Sequence, residues 1–484
     1  MRLSCRTLDK LPANVGRPAY DPSKVKASIL HLGLGAFHRA HQAMYTDAVL
    51  ASGDLRWGIC GAGVISADMK NALTPQGGLY TLCARGAETR DLRVIGSITE
   101  ILGGAEDAPL VLERMADPGI CIVSITVTEK GYCLDPASGE INLAAPPIQR
   151  DLAHPEQPTT ILGLIVRGLE LRRQRGIPPF TVMSCDNLPA NGKLARRAVI
   201  GFAGALDKDL AQWIADKVAF PCTMVDRITP ATTEQDRVEI AGIIGMEDAW
   251  PVVTEAFSQW VIEDHFTMGR PDWNIGGAIF SHEIERWENM KLRCLNGAHS
   301  TLAYLGQLFE RDTVASAMQF ELISDVVDEL WVEIREVLDA PQGVDTGEYV
   351  ESLKERFLNP NLRHLTAQIA SDGSQKLPQR LLAPLRDRLA RQVPSPAIAL
   401  ALAAWMHFVV KTAYTRQKLN DPLAEVLMRT ASCSAKAQEI VTSLLGLDQI
   451  FGRDLCQNPE LAAAIEEKFL WLHREKGINP FIEA

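Results

Sequence analysis

Up to about residue 285, short apolar runs alternate with helix-period segments. Ser28-Ile29-Leu30-His31-Leu32 breaks at Gly33-Leu34-Gly35 and leads into a helical pattern from Phe37 to Leu50. Further strand-like runs are Trp57 to Cys60, Leu92 to Ile95, Ile120 to Ile125 and Phe180 to Ser184. Helical segments such as Pro109 to Met115 and Thr160 to Arg175 lie between several of them. Strands separated by helices predict a parallel sheet wound on both faces. After about Trp287 the β-like runs almost vanish. Helix-period runs cover Ser300 to Leu308, Phe320 to Leu338, Tyr349 to Phe357, Ala397 to Thr415 and Leu461 to Arg474. The pattern predicts an α/β domain over residues 1–285 and a mainly α-helical one over 286–484.

Length agrees with that division, because 484 residues exceed one ordinary hydrophobic core. The net charge of −11, with no basic cluster, argues against a nucleic-acid partner. The run Ala397 to Val410 falls short of the roughly 18 residues of a membrane span and reads as a buried helix. The first residues lack the apolar stretch of a secretory signal. Ten scattered cysteines include no Cys-x-x-Cys pair, which suits reduced thiols in a cytoplasmic protein. Cys185 and Cys294 fall inside chemically loaded runs but read as small buried side chains.

Strand, glycine turn and helix form the opening of a Rossmann-like dinucleotide fold. Gly33 and Gly35 allow a tight turn and close approach to a pyrophosphate. The third glycine of the usual fingerprint is replaced by His38, so the pattern is incomplete. Arg39 is either a cation aimed at phosphate or a solvated first-turn arginine. Nothing acidic directly follows Cys60; Asp68 is the next acid. It either reaches the ribose, favouring NAD over NADP, or merely starts a helix.

Hydride can leave a secondary alcohol only if the hydroxyl proton is removed. No zinc-ligand cluster stands out. The Tyr-x-x-x-Lys at Tyr414 to Lys418 lies too far from the glycine turn to count. Lysine remains as a base, provided that its pKa is depressed from about 10.4. On an α-helix Lys291, His299 and Asn296 would share one broad arc, at roughly 0°, 80° and 140°. An exposed lysine beside a satisfied histidine would give the same spacing.

Several ordered runs resemble the mannitol dehydrogenase family of long-chain, metal-independent polyol dehydrogenases. They are Gly35 to Gln42, Thr126 to Tyr132, Ser184-Cys185-Asp186-Asn187, Met224 to Pro230, Lys291 to Ser300 and Asp372 to Lys376. They span about residues 28 to 385, and His38 is itself typical of the family. The resemblance implies an NAD-dependent oxidoreductase without a metal, NADP not being excluded, acting on a polyol, ketose or sugar acid. Lys291 would be the acid/base, with Asn187 and Asn296 holding the reacting oxygen and His299 orienting the substrate. Asp226 and Lys376 would bind substrate hydroxyls, and Lys376 would help lower the pKa of Lys291. Glu288 would gate the proton exit, unless it is a surface carboxylate. Gly33, Gly35, Phe37, His38, Arg39 and Asp68 would surround the cofactor.

Members of that family differ in substrate, so the fold does not decide. Gln375-Lys376-Leu377-Pro378-Gln379-Arg380 resembles the mannonate oxidoreductase (fructuronate reductase) branch. Arg380, or Arg363, could pair with a sugar-acid carboxylate; either could equally be structural or exposed. Asp248-Ala249-Trp250-Pro251-Val252-Val253 looks more like the mannitol branch. D-Fructuronate/D-mannonate is the preferred pair and D-fructose/D-mannitol the alternative. A sensor that kept the fold but lost chemistry would lack Lys291 or Asn296, and both are present. Net formation of free NADH separates a dehydrogenase from an epimerase that holds NAD.

Overall fold

The computed structural model describes residues 1–63, 66–135, 139–477 and 482. The chain divides into two compact units, Met1–Glu285 and Arg286–Ala484.

The first unit is built on five parallel strands: β1 (Ala27–Leu32), β2 (Gly58–Gly63), β3 (Ile98–Gly103), β4 (Ile122–Ile125) and β5 (Thr181–Ser184). Their order is β3-β2-β1-β4-β5. The order of winding therefore switches between the parallel strands β1 and β4, which opens a crevice at their carboxyl ends. Both faces are covered. Leu30, Leu32, Val123 and Val182 pack with the helices Ile161–Arg175 and Asn191–Leu206. Ile29, Ile59, Ile122 and Met183 pack into a second core with Trp260 and Trp273. Burial on both faces is why these strands read as near-continuous apolar runs.

Three sequence expectations need correction. Leu92 to Ile95 is a strand, but it belongs to an antiparallel hairpin of Tyr80–Arg85 with Arg90–Ile95, outside the parallel sheet. The third parallel strand is Ile98–Gly103, where Thr99 and Glu100 interrupt the apolar run. The helix expected from Phe37 to Leu50 breaks at His41 (φ −120°, ψ −96°) into Ala36–Ala40 and Gln42–Ala51. The His41 ring lies 5.0 Å from that of Phe37, and its Nε2 is 3.1 Å from the Gln259 carbonyl oxygen. Those ties to a neighbouring strand draw the backbone out of the helix.

At the amino ends of β4 and β5, one buried cation closes the sheet. The Arg172 guanidinium, on the helix Ile161–Arg175, donates to the carbonyls of Met115, Asp117, Ile120 and Pro178.

The second unit is helical. Its core helix, Pro396–Tyr414, matches the expected run Ala397 to Thr415 to within one residue at each end. By length and composition it could cross a membrane, but 78% of its most apolar window is buried inside the protein. Gly297–Leu308, Glu321–Arg335 and Pro459–Lys476 pack around it. The Glu333 carboxylate caps its start, accepting from the backbone N–H groups of Ala397 and Ile398. A negative charge there also opposes the helix dipole.

Arg172→Leu strands four carbonyls and should cost roughly 3 kcal/mol, a fall of several degrees in thermal midpoint. Unchanged thermal unfolding would show that those carbonyls find other partners.

Candidate active site

The glycine turn follows β1 at the crevice. Gly33 has φ +97°, and a Cβ there would lie 2.1 Å from the Thr126 carbonyl oxygen. Only glycine lets this turn press against the end of β4. Gly35 differs: a Cβ would meet nothing closer than the Gly33 carbonyl, at 3.7 Å. Its open face stands at the start of the helix Ala36–Ala40, and no side chain caps that helix. These residues fit a dinucleotide phosphate. Beside the carboxyl ends of β2 and β3 lies a cavity of about 470 Å³, lined by Ala62, Gly63, Pro109, Leu112 and Leu164 among others. Glu113, Arg150, Glu156 and Arg167 also line it, and its volume and apolar portion suit a flat aromatic base.

Around the turn the predicted residues divide. Phe37 is half-buried against His41. His38 is buried and stacked on His31, with ring centroids 3.4 Å apart, and burial pushes its pKa well below the usual value. Arg39 is fully buried rather than solvated. Its guanidinium donates to the Trp250 carbonyl and lies 5.2 Å from the Tyr80 ring centroid. It serves packing in the interior, and first-turn position alone gave no sign of that. Asp68 is exposed in the first turn of the helix Asp68–Leu73.

Asn187 is exposed just beyond β5. Its neighbour Asp186 explains why the run is placed as it is. One carboxylate oxygen accepts from the N–H groups of Val127 and Thr128, both at 2.8 Å, and the other accepts from the Tyr132 hydroxyl at 2.7 Å. Asp186 thus ties the loop after β4 to the loop after β5, a role the sequence reading missed. Asn191 extends the link, donating to the carbonyls of Asp186 and Thr223. Asp226 ends the strand Thr223–Asp226 and is buried. Next to it, Arg227 donates to the Ala40 carbonyl at 2.6 Å and so binds that strand to the end of the glycine-turn helix.

In the second unit Lys291–Asn296 is a π-helical turn, not an α-helix. The arc computed at α-helical spacing therefore does not hold. Such widened turns tend to occur at functional sites. Trp331 Nε1 donates to the Cys294 carbonyl at 3.0 Å, and Arg293 pairs with Asp387 at 2.6 Å. Pro378–Leu382 is a second π-helical turn packed against the first. They meet at Gly297, where a Cβ would lie 3.0 Å from the Arg380 carbonyl oxygen. Gly297 is helical (φ −62°), so its value here is clearance.

The turns gather side chains from distant positions. Lys291, Asn296 and His299 are buried, and so is Glu288, which is thus no surface carboxylate. Asn296 Nδ2 and His299 Nε2 are enclosed without a hydrogen-bond partner among the described residues. Burial, followed by the charges of Arg380, Arg356 and Lys291 beside the His364 ring, holds His299 un-ionised. Arg380 donates to Ser300 Oγ at 3.1 Å and weakly to the Asn296 carbonyl at 3.4 Å. No carboxylate among the described residues pairs with it, and burial lowers its pKa to about 10. Arg363 is exposed. Lys376 turns its ammonium to the carbonyls of Ser371 and Ile369, and burial lowers its pKa to about 8. Among the described residues no group of three or more His, Cys, Asp or Glu side chains could hold a metal ion.

A parallel sheet opened by a glycine turn, followed by a helical unit, defines a Rossmann-like oxidoreductase with a helical C-terminal domain. The chain belongs to the mannitol dehydrogenase family: the family's Rossmann-domain model matches residues 27–275 and its C-terminal-domain model residues 283–472. D-Mannonate oxidoreductase of Escherichia coli (strain K12) is 44% identical over 477 residues, covering 97% of this chain and 98% of that one. Mannitol 2-dehydrogenase of Cereibacter sphaeroides is 40% identical over 458 residues, covering 93% and 94%. Among solved structures, Pseudomonas fluorescens mannitol 2-dehydrogenase in ternary complex with NAD and D-mannitol has 39% identity and a TM-score of 0.86, covering 98% of this chain and 97% of that one.

Gly297→Ala forces the two π-helical turns apart. It should raise the KM for the sugar substrate several-fold while leaving NADH affinity, read by fluorescence titration, unchanged. A KM equal to that of the unmodified protein would mean that the turns have slack.

Proposed function

We propose that this protein is an NAD(H)-dependent reductase of a keto-sugar acid, with D-fructuronate and D-mannonate as the substrate pair. The observation that carries the choice is Arg380, a largely enclosed guanidinium with no acid partner among the described residues, in the same cluster as Lys291 and His299. A buried cation without a counter-ion is costly, and a substrate carboxylate relieves that cost through charge-assisted hydrogen bonds. The 44% identity to a D-mannonate oxidoreductase supports the same choice. NAD held at the Gly33-Leu34-Gly35 turn would supply or take up the hydride; the remaining work falls to side chains.

Lys291 gives a proton to the carbonyl oxygen in reduction and takes it back in oxidation. Asn296 donates from its free Nδ2 to that oxygen, and His299 orients the substrate through Nε2. Asn187 and Asp226 keep the roles that the resemblance implies, on the reacting oxygen and on a substrate hydroxyl. Glu288, one turn before Lys291, relays the proton outward. Lys376 acts mainly through its charge, since its own N–H groups are engaged. Gly33 and Gly35 hold the cofactor phosphates, Phe37 and His38 support that turn, and Asp68 takes the ribose. We leave Arg39 out of that set.

A second reading, D-mannitol 2-dehydrogenase, draws on the relatives of that name and on the run around Asp248. That run has a packing role: Asp248 accepts from the N–H groups of Thr81 and Trp250 and from Gln76 Nε2. It therefore says little about substrate.

Oxidation of NADH followed at 340 nm with D-fructuronate and with D-fructose decides between the two. We expect fructuronate to win by at least tenfold in kcat/KM; preference for fructose would sink the acid reading. Lys291→Ala should lower turnover by orders of magnitude with NADH affinity retained. Lys376 carries its charge below about pH 8 and loses it above, with Arg380 depressing and Asp372 and Asp421 raising that midpoint. The KM for fructuronate should accordingly rise above pH 8, and Lys376→Arg should move the rise to higher pH. A flat KM across pH 7 to 9.5 would remove Lys376 from anion binding.

A further inference from the structure

We propose that His364 is a second substrate-positioning histidine, taking a substrate hydroxyl while the neighbouring cations take the charged group. The proposal rests on the carbohydrate reading above, in either its acid or its polyol form. Arg363-His364 drew notice in the sequence only for its arginine, and the structure reverses that: Arg363 is exposed, whereas His364 turns inward.

Three observations place the ring. First, its backbone is fixed. The His364 carbonyl accepts from Val314 N at 3.0 Å, the His364 N–H donates to the Leu362 carbonyl at 2.8 Å, and Leu365 forms a β-bridge with Thr313. Second, the ring stands edge-on to His299, with centroids 5.1 Å apart and planes at 83°; the Phe357 ring lies 4.7 Å from His299. Third, Nδ1 of His364 is enclosed without a hydrogen-bond partner among the described residues, as is Nε2 of His299. An unsatisfied buried nitrogen of this kind is unfavourable, and a bound hydroxyl would relieve it.

The chemistry of the cluster assigns the division of labour. Arg380 and Lys376 only donate, and a carboxylate only accepts. A sugar hydroxyl both donates and accepts, and so does a neutral imidazole. His364 stays neutral because burial and the nearby Lys376 charge push its pKa down to about 4. Two neutral imidazoles beside two cations thus form a surface that matches a polyhydroxylated chain bearing one negative group.

The test compares His364→Phe, which keeps a ring but no nitrogen, with His364→Asn, whose amide restores a donor and an acceptor near Nδ1. Both are assayed on whichever of D-fructuronate and D-fructose the unmodified protein turns over. NADH affinity and thermal midpoint are measured in parallel, with thermal protection by D-mannonate or D-mannitol in the presence of NAD as a second measure of substrate binding. We expect the Phe variant to raise KM at least tenfold, with kcat within threefold and NADH affinity unchanged, and the Asn variant to recover most of that loss. An unchanged KM in the Phe variant overturns the proposal. So do equal losses in both variants accompanied by a lower thermal midpoint, which would mark a purely structural ring. If the unmodified protein neither turns over nor is protected by any of these sugars, the carbohydrate reading fails and takes His364 with it. If the unmodified protein responds and the variants respond equally, His364 alone falls.

Discussion

Two widened helical turns pressed together at a glycine are the constraint on which the segment Lys291–His299 depends. A π-helical turn displaces backbone groups from regular pairing and is stable only where its surroundings satisfy them. Here the Trp331 indole takes the Cys294 carbonyl, Arg293 reaches Asp387, and Arg380 reaches back to Asn296 and Ser300. Trp331 comes from the helix Glu321–Arg335, whereas Arg380 and Asp387 share the continuous helical stretch that holds the second turn. The positions of Lys291, Asn296 and His299 are thus set by the packing of the whole unit and not by their spacing in sequence.

The first unit solves a different problem, which is to keep several loops at the carboxyl end of a sheet in fixed relation. Asp186 does this with three hydrogen bonds to the loop after β4, and Asn191 with donations to Asp186 and Thr223. Burial raises the pKa of Asp186, and the hydrogen bonds offset only part of that rise. The cluster has the logic of a buried polar network: fully satisfied, it rigidifies the loops that carry function.

The doubly wound sheet and the change to a helical second unit were legible because strands buried on both faces leave unbroken apolar runs, and helices leave a period of 3.6. The strand Ile98–Gly103 was not, since Thr99 and Glu100 break its run, and its identity as a strand comes from pairing with Gly58–Gly63. Nor was the break at His41, which a ring contact and a carbonyl on another strand impose. At the site, ordered motifs drew attention to Lys291, Asn296 and His299, while their geometry stayed hidden because no local signal marks a π-helical turn. Arg39 misled for a related reason. Its guanidinium finds its partner 211 residues further along the chain, at Trp250.

That no carboxylate among the described residues pairs with Arg380 has a kinetic side. The protein carries a net charge of −11, so at long range it repels an anion. The attraction of Arg380 and Lys376 is local, whereas that repulsion decays over a Debye length of about 8 Å at physiological ionic strength. For an anionic substrate, added salt would therefore lower the barrier to encounter before it weakens the bound state. Association and residence would respond to ionic strength in opposite senses, and a neutral sugar would show neither response.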